Sequence, residues 1–283
     1  MKRLLFLLPF LGSFFPTLLW AQHQNSSCCK ISATEEFALL TSNTNFTMSH
    51  ATPLPYKHLS ETGKDITYST VDGKKAHAYE LLAKEPSKDY IFVIHEWWGL
   101  NDYIKRESEK LYKELGNVNV LALDLYDEKV TDTREQAAQY MRAVSQERAR
   151  EIIEGAIDYV GKDAEIGTIG WCFGGGWSLQ AAIMAKSQAK ACVIYYGMPE
   201  KDIQKLQSLH CDVLGIFGTL DSSINPKVVK EFEGNMGKAG KKLIVHNYDA
   251  VHAFANPSNP KYNKTATADA WSHTLAFFKE RMK

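Results

Sequence analysis

From residue 60 onward, apolar runs of strand length alternate with longer segments in which apolar residues recur every three or four positions. The runs at 66–71 and 76–82 flank Asp72-Gly73, a pair that predicts a hairpin. Residues 90–95 are apolar without alternation, the pattern of a strand buried on both faces. A helix is predicted over 102–115 and a second buried strand over 118–123. A long helical stretch follows, from a cap at Asp132 or Thr133 to residue 159, broken near Ser145. Next come a strand at 166–171 ending in a glycine-rich turn, a helix at 175–185, strands at 189–196 and 213–218, a helix at 227–239, a strand at 242–248 and a closing amphipathic helix at 265–283. Strand, helix, strand with short connections implies parallel strands joined by right-handed crossovers, and so an α/β fold: a mostly parallel twisted sheet with helices on both faces. Sites in such sheets lie at the carboxyl ends of the strands.

The N-terminal part reads differently. Met1-Lys2-Arg3 precedes an apolar run broken by Pro9, Gly12 and Pro16, the layout of a secretory signal over residues 1–21 with cleavage after Ala21. The competing reading is an uncleaved membrane tether, for which the run is short. The expected location is therefore outside the cytoplasm, with no stable membrane span once the signal is removed. Residues 22–59 are rich in Ser, Thr, Asn and Pro without a sustained apolar period, and read as a polar, loosely packed extension before a domain at 60–283.

At 283 residues, with 33 basic and 33 acidic side chains, the chain has the mass for one large core and no charge excess to attract nucleic acid. Oligomeric state is not legible. The nine histidines and five cysteines show no His-x-x-x-His or Cys-x-x-Cys spacing, so neither a metal nor another cofactor is expected. Cys28 and Cys29 are adjacent and unsuited to bond each other, and Cys192 and Cys211 are read as buried free thiols or sheet neighbours.

The chemistry begins at Gly170-Trp171-Cys172-Phe173-Gly174-Gly175-Gly176. A nucleophile elbow is a strained strand-to-helix turn that needs small residues two places either side of the reactive one, and Gly170 and Gly174 supply them. The helix N-terminus there favours a thiolate, so cysteine suits the position. An ordinary buried cysteine in a glycine-rich turn is the bland alternative. An acid and a histidine should follow in that order after later strands, and Asp221 and His252 do. His252 would manage the Cys172 proton, and Asp221 would orient the imidazole. After the strand at 90–95, His95-Glu96-Trp97-Trp98-Gly99 is the loop expected to supply a second oxyanion donor. The backbone N–H groups of Trp97 and Phe173 are assigned that role. Glu96 beside the elbow is expected to accept a hydrogen bond from a neutral thiol or to disfavour the thiolate.

From about residue 66 to the end, these residues resemble the dienelactone hydrolase (carboxymethylenebutenolidase) family of α/β-hydrolases. The resemblance rests on the Gly-x-Cys-x-Gly-Gly elbow, on Asp221 in Gly218-Thr219-Leu220-Asp221, on His252 before Ala253-Phe254, and on Glu96 in Glu96-Trp97-Trp98-Gly99-Leu100-Asn101. It implies a cysteine triad whose thiol is held neutral by the glutamate until a small ester or lactone binds, and then an acyl-enzyme that water hydrolyses. It also implies that Arg134 pairs with a substrate carboxylate, with Trp98 and Phe254 among the substrate contacts. Ala253, Asn256 and Ala138 stand where the family pattern has Ser, Arg and Tyr, so three polar contacts to an acidic substrate are missing and dienelactone itself is in doubt. Two other readings stay open: a hydrolase-fold binding protein without turnover, and a thiol redox sensor.

Overall fold

The computed structural model describes residues 31–60 and 62–282, together with residue 1. The expected signal at 1–21 and the pair Cys28 and Cys29 lie outside the described residues. Described by itself, the unit from Ile31 onward holds the hydrolase-like body. Its elements in chain order are α1 (Ala33–Leu39), α2 (Thr44–Ser49), β1 (Lys64–Ser69), β2 (Lys75–Leu81), β3 (Asp89–Ile94), α3 (Asp102–Leu115), β4 (Asn119–Leu123), α4 (Arg134–Ala143), α5 (Gln146–Val160), β5 (Glu165–Trp171), α6 (Phe173–Met184), β6 (Ala189–Tyr195), α7 (Ile203–Gln207), β7 (Asp212–Gly218), α8 (Pro226–Lys238), β8 (Leu243–Tyr248) and α9 (Lys264–Arg281).

Eight strands form one sheet in the order β1-β2-β4-β3-β5-β6-β7-β8. β1 and β2 are an antiparallel hairpin that joins β4 antiparallel, and the strands from β4 to β8 pair in parallel. The parallel centre explains the unbroken apolar runs: in β4 every residue is buried, because helices cover both faces. Adjacent residues of β5 show the two faces directly. Gly167 lies against Phe278 and Met282, in and just after α9, whereas the Thr168 hydroxyl donates to the Ser178 carbonyl of α6 at 3.0 Å. Thr133 is the N-cap residue of α4, one of the two expected, although its side chain makes no cap bond. Ser145 accepts from the Arg148 N–H to start α5, which divides the long helical stretch where a break was expected.

The N-terminal extension is where the structure departs from the sequence reading. Residues 33–49 are not a loose tether. α1 begins with a reciprocal capping box between Ser32 and Glu35, and α2 is capped by Asn43. Phe37 and Phe46 are fully buried. Ser32 donates to Gln146, Lys201 pairs with Glu36 at 2.7 Å, and Arg142 donates to Thr41 at 3.2 Å. The extension therefore forms a two-helix strap tied to α4, α5 and the segment after β6. Past the strap, the chain runs without regular structure along α3, with Tyr103 donating to the Leu54 carbonyl and the His58 N–H donating to Asp102. Among the described residues, no helix is long and apolar enough to cross a membrane.

Candidate active site

β5 ends at Trp171, and the chain turns through Cys172 into α6. Cys172 has φ 56° and ψ −115°, a conformation that non-glycine residues adopt only under constraint. The turn is held by the Cys172 N–H donating to the Tyr195 carbonyl and the Gly175 N–H donating to the Cys172 carbonyl. The flanking glycines are required by contact. A Cβ at Gly170 would collide with the Gly174 carbonyl, and one at Gly174 with the carbonyl oxygens of Ile94 and His95. The expected elbow is thus present, with Sγ fully buried. The Phe173 N–H is the first of α6 and has no intrahelical acceptor, as the oxyanion role requires. Trp97 follows the end of β3, where the second donor was expected.

Asp221 and His252 are brought together from the loops after β7 and β8. The Asp221 Oδ2 lies 2.5 Å from His252 Nδ1, while Oδ1 accepts from the N–H groups of Ser223 and Ile224 at 2.8 and 3.0 Å. Burial raises the cost of charge on Asp221, but the imidazole and these donors outweigh it and hold its carboxyl below the ordinary value. Burial likewise opposes charge on His252. Asp221 prevails there and pushes the imidazole well above its usual range. His252 Nε2 is buried without a hydrogen-bond partner, and a ring nitrogen of His252 lies within 4.8 Å of Cys172 Sγ. Burial raises the Cys172 thiol above its ordinary value, so the resting side chain is the thiol.

The partner of that thiol is a residue the sequence reading missed. His50, at the end of α2, places Nε2 3.5 Å from Cys172 Sγ. Its Nδ1 lies 2.8 Å from the Phe46 carbonyl oxygen, which can only accept, so Nδ1 carries the proton and Nε2 accepts from the thiol. Burial first, and then the charge of His252, lower the His50 pKa to about 3, which keeps this imidazole neutral. The ring packs at 4.2 Å from Trp97 and 5.0 Å from His252, between centroids. The signal that could have found it was the capping box Ser32–Glu35 with the aromatic residues Phe37 and Phe46 and then His50 beyond, a short helical pair that buries both its phenylalanines.

Other expectations need correction. Glu96 is buried beside the elbow and its charge disfavours the thiolate, one of the two roles expected of it, but its carboxylate accepts from the Tyr196 hydroxyl at 3.2 Å and from the Asn256 amide rather than from the thiol. Burial pushes it up to about 7, against the lowering effect of His252, Tyr196 and Asn256. Asn256, which replaces the family's arginine, therefore serves the glutamate. Arg134 does not face a substrate space. Its Nε donates to the His50 carbonyl at 2.5 Å and its Nη1 reaches the Met48 sulfur, so it clamps the strap. Trp98 packs edge-on against Trp97, and Phe254 is buried between Tyr196 and Tyr248, so both are supporting residues in this closed arrangement. A small cavity of about 20 Å³ lies beside Glu96, lined also by Asn101, Tyr103, Glu107, Trp171 and Asn256. Cys172, Cys192 and Cys211 are free thiols, as read for the last two. His95 is structural, accepting from the Leu125 N–H at Nε2.

Known proteins of similar sequence and fold identify the family. The chain is 28% identical over 202 residues to Protein usf of Aquifex pyrophilus, covering 67% of this chain and 87% of that one. It is 26% identical over 227 residues to carboxymethylenebutenolidase 1 of Cupriavidus pinatubonensis, covering 75% and 94%. A dienelactone hydrolase-like promiscuous phosphotriesterase from metagenomic libraries superposes with a TM-score of 0.69 at 20% identity over 78% of this chain and 98% of the other, which shows a common α/β-hydrolase fold. The profile of the dienelactone hydrolase family matches residues 77–282, and with the elbow and the buried Asp221–His252 pair in place, this chain belongs to that family.

Proposed function

We propose that this family member hydrolyses a small carboxylic ester or lactone through Cys172, with His252 as its proton partner and Asp221 orienting the imidazole. The observation that carries the reading is the His252 Nε2, buried, without a partner and facing a cysteine at a strained helix N-terminus, while Nδ1 is held by Asp221. As substrate binds, the Cys172 thiol gives up its proton to solvent, which leaves a thiolate beside the His252 imidazolium. The Cys172 sulfur adds to the carbonyl carbon, and the Phe173 and Trp97 N–H groups take up the developing oxyanion. The leaving alkoxide then takes the proton from His252, which leaves an acyl-cysteine. Water, deprotonated by His252, attacks that thioester, and collapse of the adduct returns the thiol and the free acid.

Because Sγ is fully buried under the strap, catalysis requires the segment carrying Phe46 and His50 to move away and admit substrate. The missing acid-binding contacts at Ala138 and Ala253, and the engagement of Arg134 with the strap, favour a neutral, apolar acyl group over a dicarboxylate. Met1-Lys2-Arg3 and the apolar run that follows support an exported protein. The test is hydrolysis of activated esters and small lactones by wild type, Cys172→Ala and His252→Ala. Loss of at least about 1,000-fold in each variant is expected, and full activity in both refutes the assignment.

A further inference from the structure

The group at the centre of the fold is more than a Cys–His pair. Sγ of Cys172 and ring nitrogens of His50 and His252 all lie within 4.8 Å of one another, and all three residues are buried. They come from three distant parts of the chain: the strap, the elbow and the loop after β8. No short sequence spacing joins them.

The orientation of the two imidazoles is informative. His50 turns Nδ1 to the Phe46 carbonyl and His252 turns Nδ1 to the Asp221 carboxylate, so both present Nε2 toward Sγ. An imidazole whose far nitrogen is tied to a carbonyl or carboxylate, with the near lone pair aimed at a common point, is the arrangement found around metal-ligating histidines. The acceptors fix the tautomer and ring plane before an ion arrives. His252 Nε2 has no hydrogen-bond partner although buried, a cost that a ligand would remove.

The distances are close to what is needed. Bonds of about 2.0 Å to nitrogen and about 2.3 Å to sulfur at a tetrahedral centre place an N and an S ligand about 3.5 Å apart. The Cys172–His50 pair already stands at 3.5 Å. Two nitrogens on such bonds stand about 3.3 Å apart, so bringing His252 in from at most 4.8 Å shortens its separations from the other two ligand atoms by no more than about 1.5 Å. One thiolate and two imidazoles suit a borderline ion and discriminate against the hard cations that prefer oxygen.

We propose that His50, Cys172 and His252 form a site for a divalent cation of the zinc type, and that the bound ion silences the nucleophile. As the ion binds, the Cys172 S–H bond and the Nε2–H bond of the His252 imidazolium both break, and the two protons are released to solvent. No electron changes hands, and the fourth coordination position is left to water. The metal also fastens the strap to the body, because His50 belongs to one and Cys172 and His252 to the other. The silencing rests on the nucleophile assignment above, whereas the binding does not.

The test uses the full chain in a Cys28→Ser/Cys29→Ser background and titrates Co²⁺ alone, followed by Zn²⁺ competition. Each addition is equilibrated until the absorbance is constant, because the site is buried. The expected result is one Co²⁺ per chain with a thiolate-to-cobalt charge-transfer band. Cys172→Ser abolishes the band, and His50→Ala and His252→Ala each weaken binding at least about tenfold, since outer-shell changes alone can have that effect. His50→Gln keeps a side chain of similar length and carries the test if His50→Ala undocks the strap; circular dichroism identifies folded variants. Absence of the band in the parent protein, its persistence in Cys172→Ser, or affinity within twofold of the parent in either folded histidine variant overturns the site. If Co²⁺ binds as expected but no ester is turned over after chelation, the metal site stands and the hydrolase reading fails.

Discussion

Replacing Phe46 by alanine should release the strap while leaving the body folded. The Phe46 ring is fully buried, with centroids 4.6 Å from His50, 5.5 Å from Phe37, 5.7 Å from His252 and 5.9 Å from Trp97. Truncating a buried phenylalanine costs about 3–5 kcal/mol. His252 and Trp97 are held by the sheet loops whether or not the strap is docked, so the loss falls chiefly on docking. Cys172 Sγ has no solvent exposure, and a neutral alkylating agent reaches it only from the undocked state. When opening and closing are fast, the labelling rate follows the open population. A factor of ten for each 1.4 kcal/mol then gives acceleration of about 100-fold or more, up to the plateau of a fully open site. The assay is iodoacetamide labelling with peptide mass spectrometry at Cys172, alongside thermal melting of the same variant. An unchanged labelling rate refutes the strap as the gate. Acceleration that merely tracks global unfolding, with the melting transition collapsing in parallel, refutes the separation of strap from body.

Three further outcomes follow from the geometry. Glu96 is raised from 4.5 to about 7 by burial, so between those values the folded protein binds a proton that the unfolded chain has released, and stability from this group falls as pH rises through the window. That interval corresponds to about 3 kcal/mol, so the stability of Glu96→Gln relative to wild type, by urea denaturation, should rise by about that amount between about pH 4.5 and pH 8; a pH-independent difference contradicts the burial of the charge. Gly174→Ala drives a methyl group into the Ile94 and His95 carbonyls and should cost at least about 1–3 kcal/mol in urea denaturation, whereas neutral behaviour would contradict the close approach of α6 to β3. Arg134→Ala should accelerate Cys172 labelling about tenfold by removing a charged donor from the His50 carbonyl, with the same KM change for anionic and neutral esters; a KM rise confined to anionic esters would restore the carboxylate-binding role.

The body of the fold was readable because its signals are local. Unbroken apolar runs became β3 and β4, Asp72-Gly73 made the hairpin between β1 and β2, and Ser145 split the long helix. The elbow was readable for the same reason, since a strained turn between close-packed backbones needs glycine at fixed offsets. Asp221 and His252 could be placed by order alone, as each follows a strand whose end faces the site. The strap was not readable, because two short helices with few apolar residues carry little periodicity and gain their order by docking on the body, with α1 against α4 and α6, rather than from their own propensity. His50 was lost with it. The roles expected of Glu96 and Arg134 shifted for a related reason: with a histidine on the thiol and a backbone carbonyl on the guanidinium, both side chains have other partners. Asn256 looked like a lost contact, yet it donates to Glu96.

The central claim, that Cys172 is the acyl-accepting nucleophile, is tested most directly by mass. The protein is mixed with an activated ester, quenched in acid at intervals, and its intact mass and peptides are measured. A single acyl adduct on the peptide containing Cys172, formed and then hydrolysed on the timescale of turnover and absent in Cys172→Ala, is the predicted result. Turnover that persists in Cys172→Ala, or an adduct that sits on another residue in the wild-type protein, contradicts it.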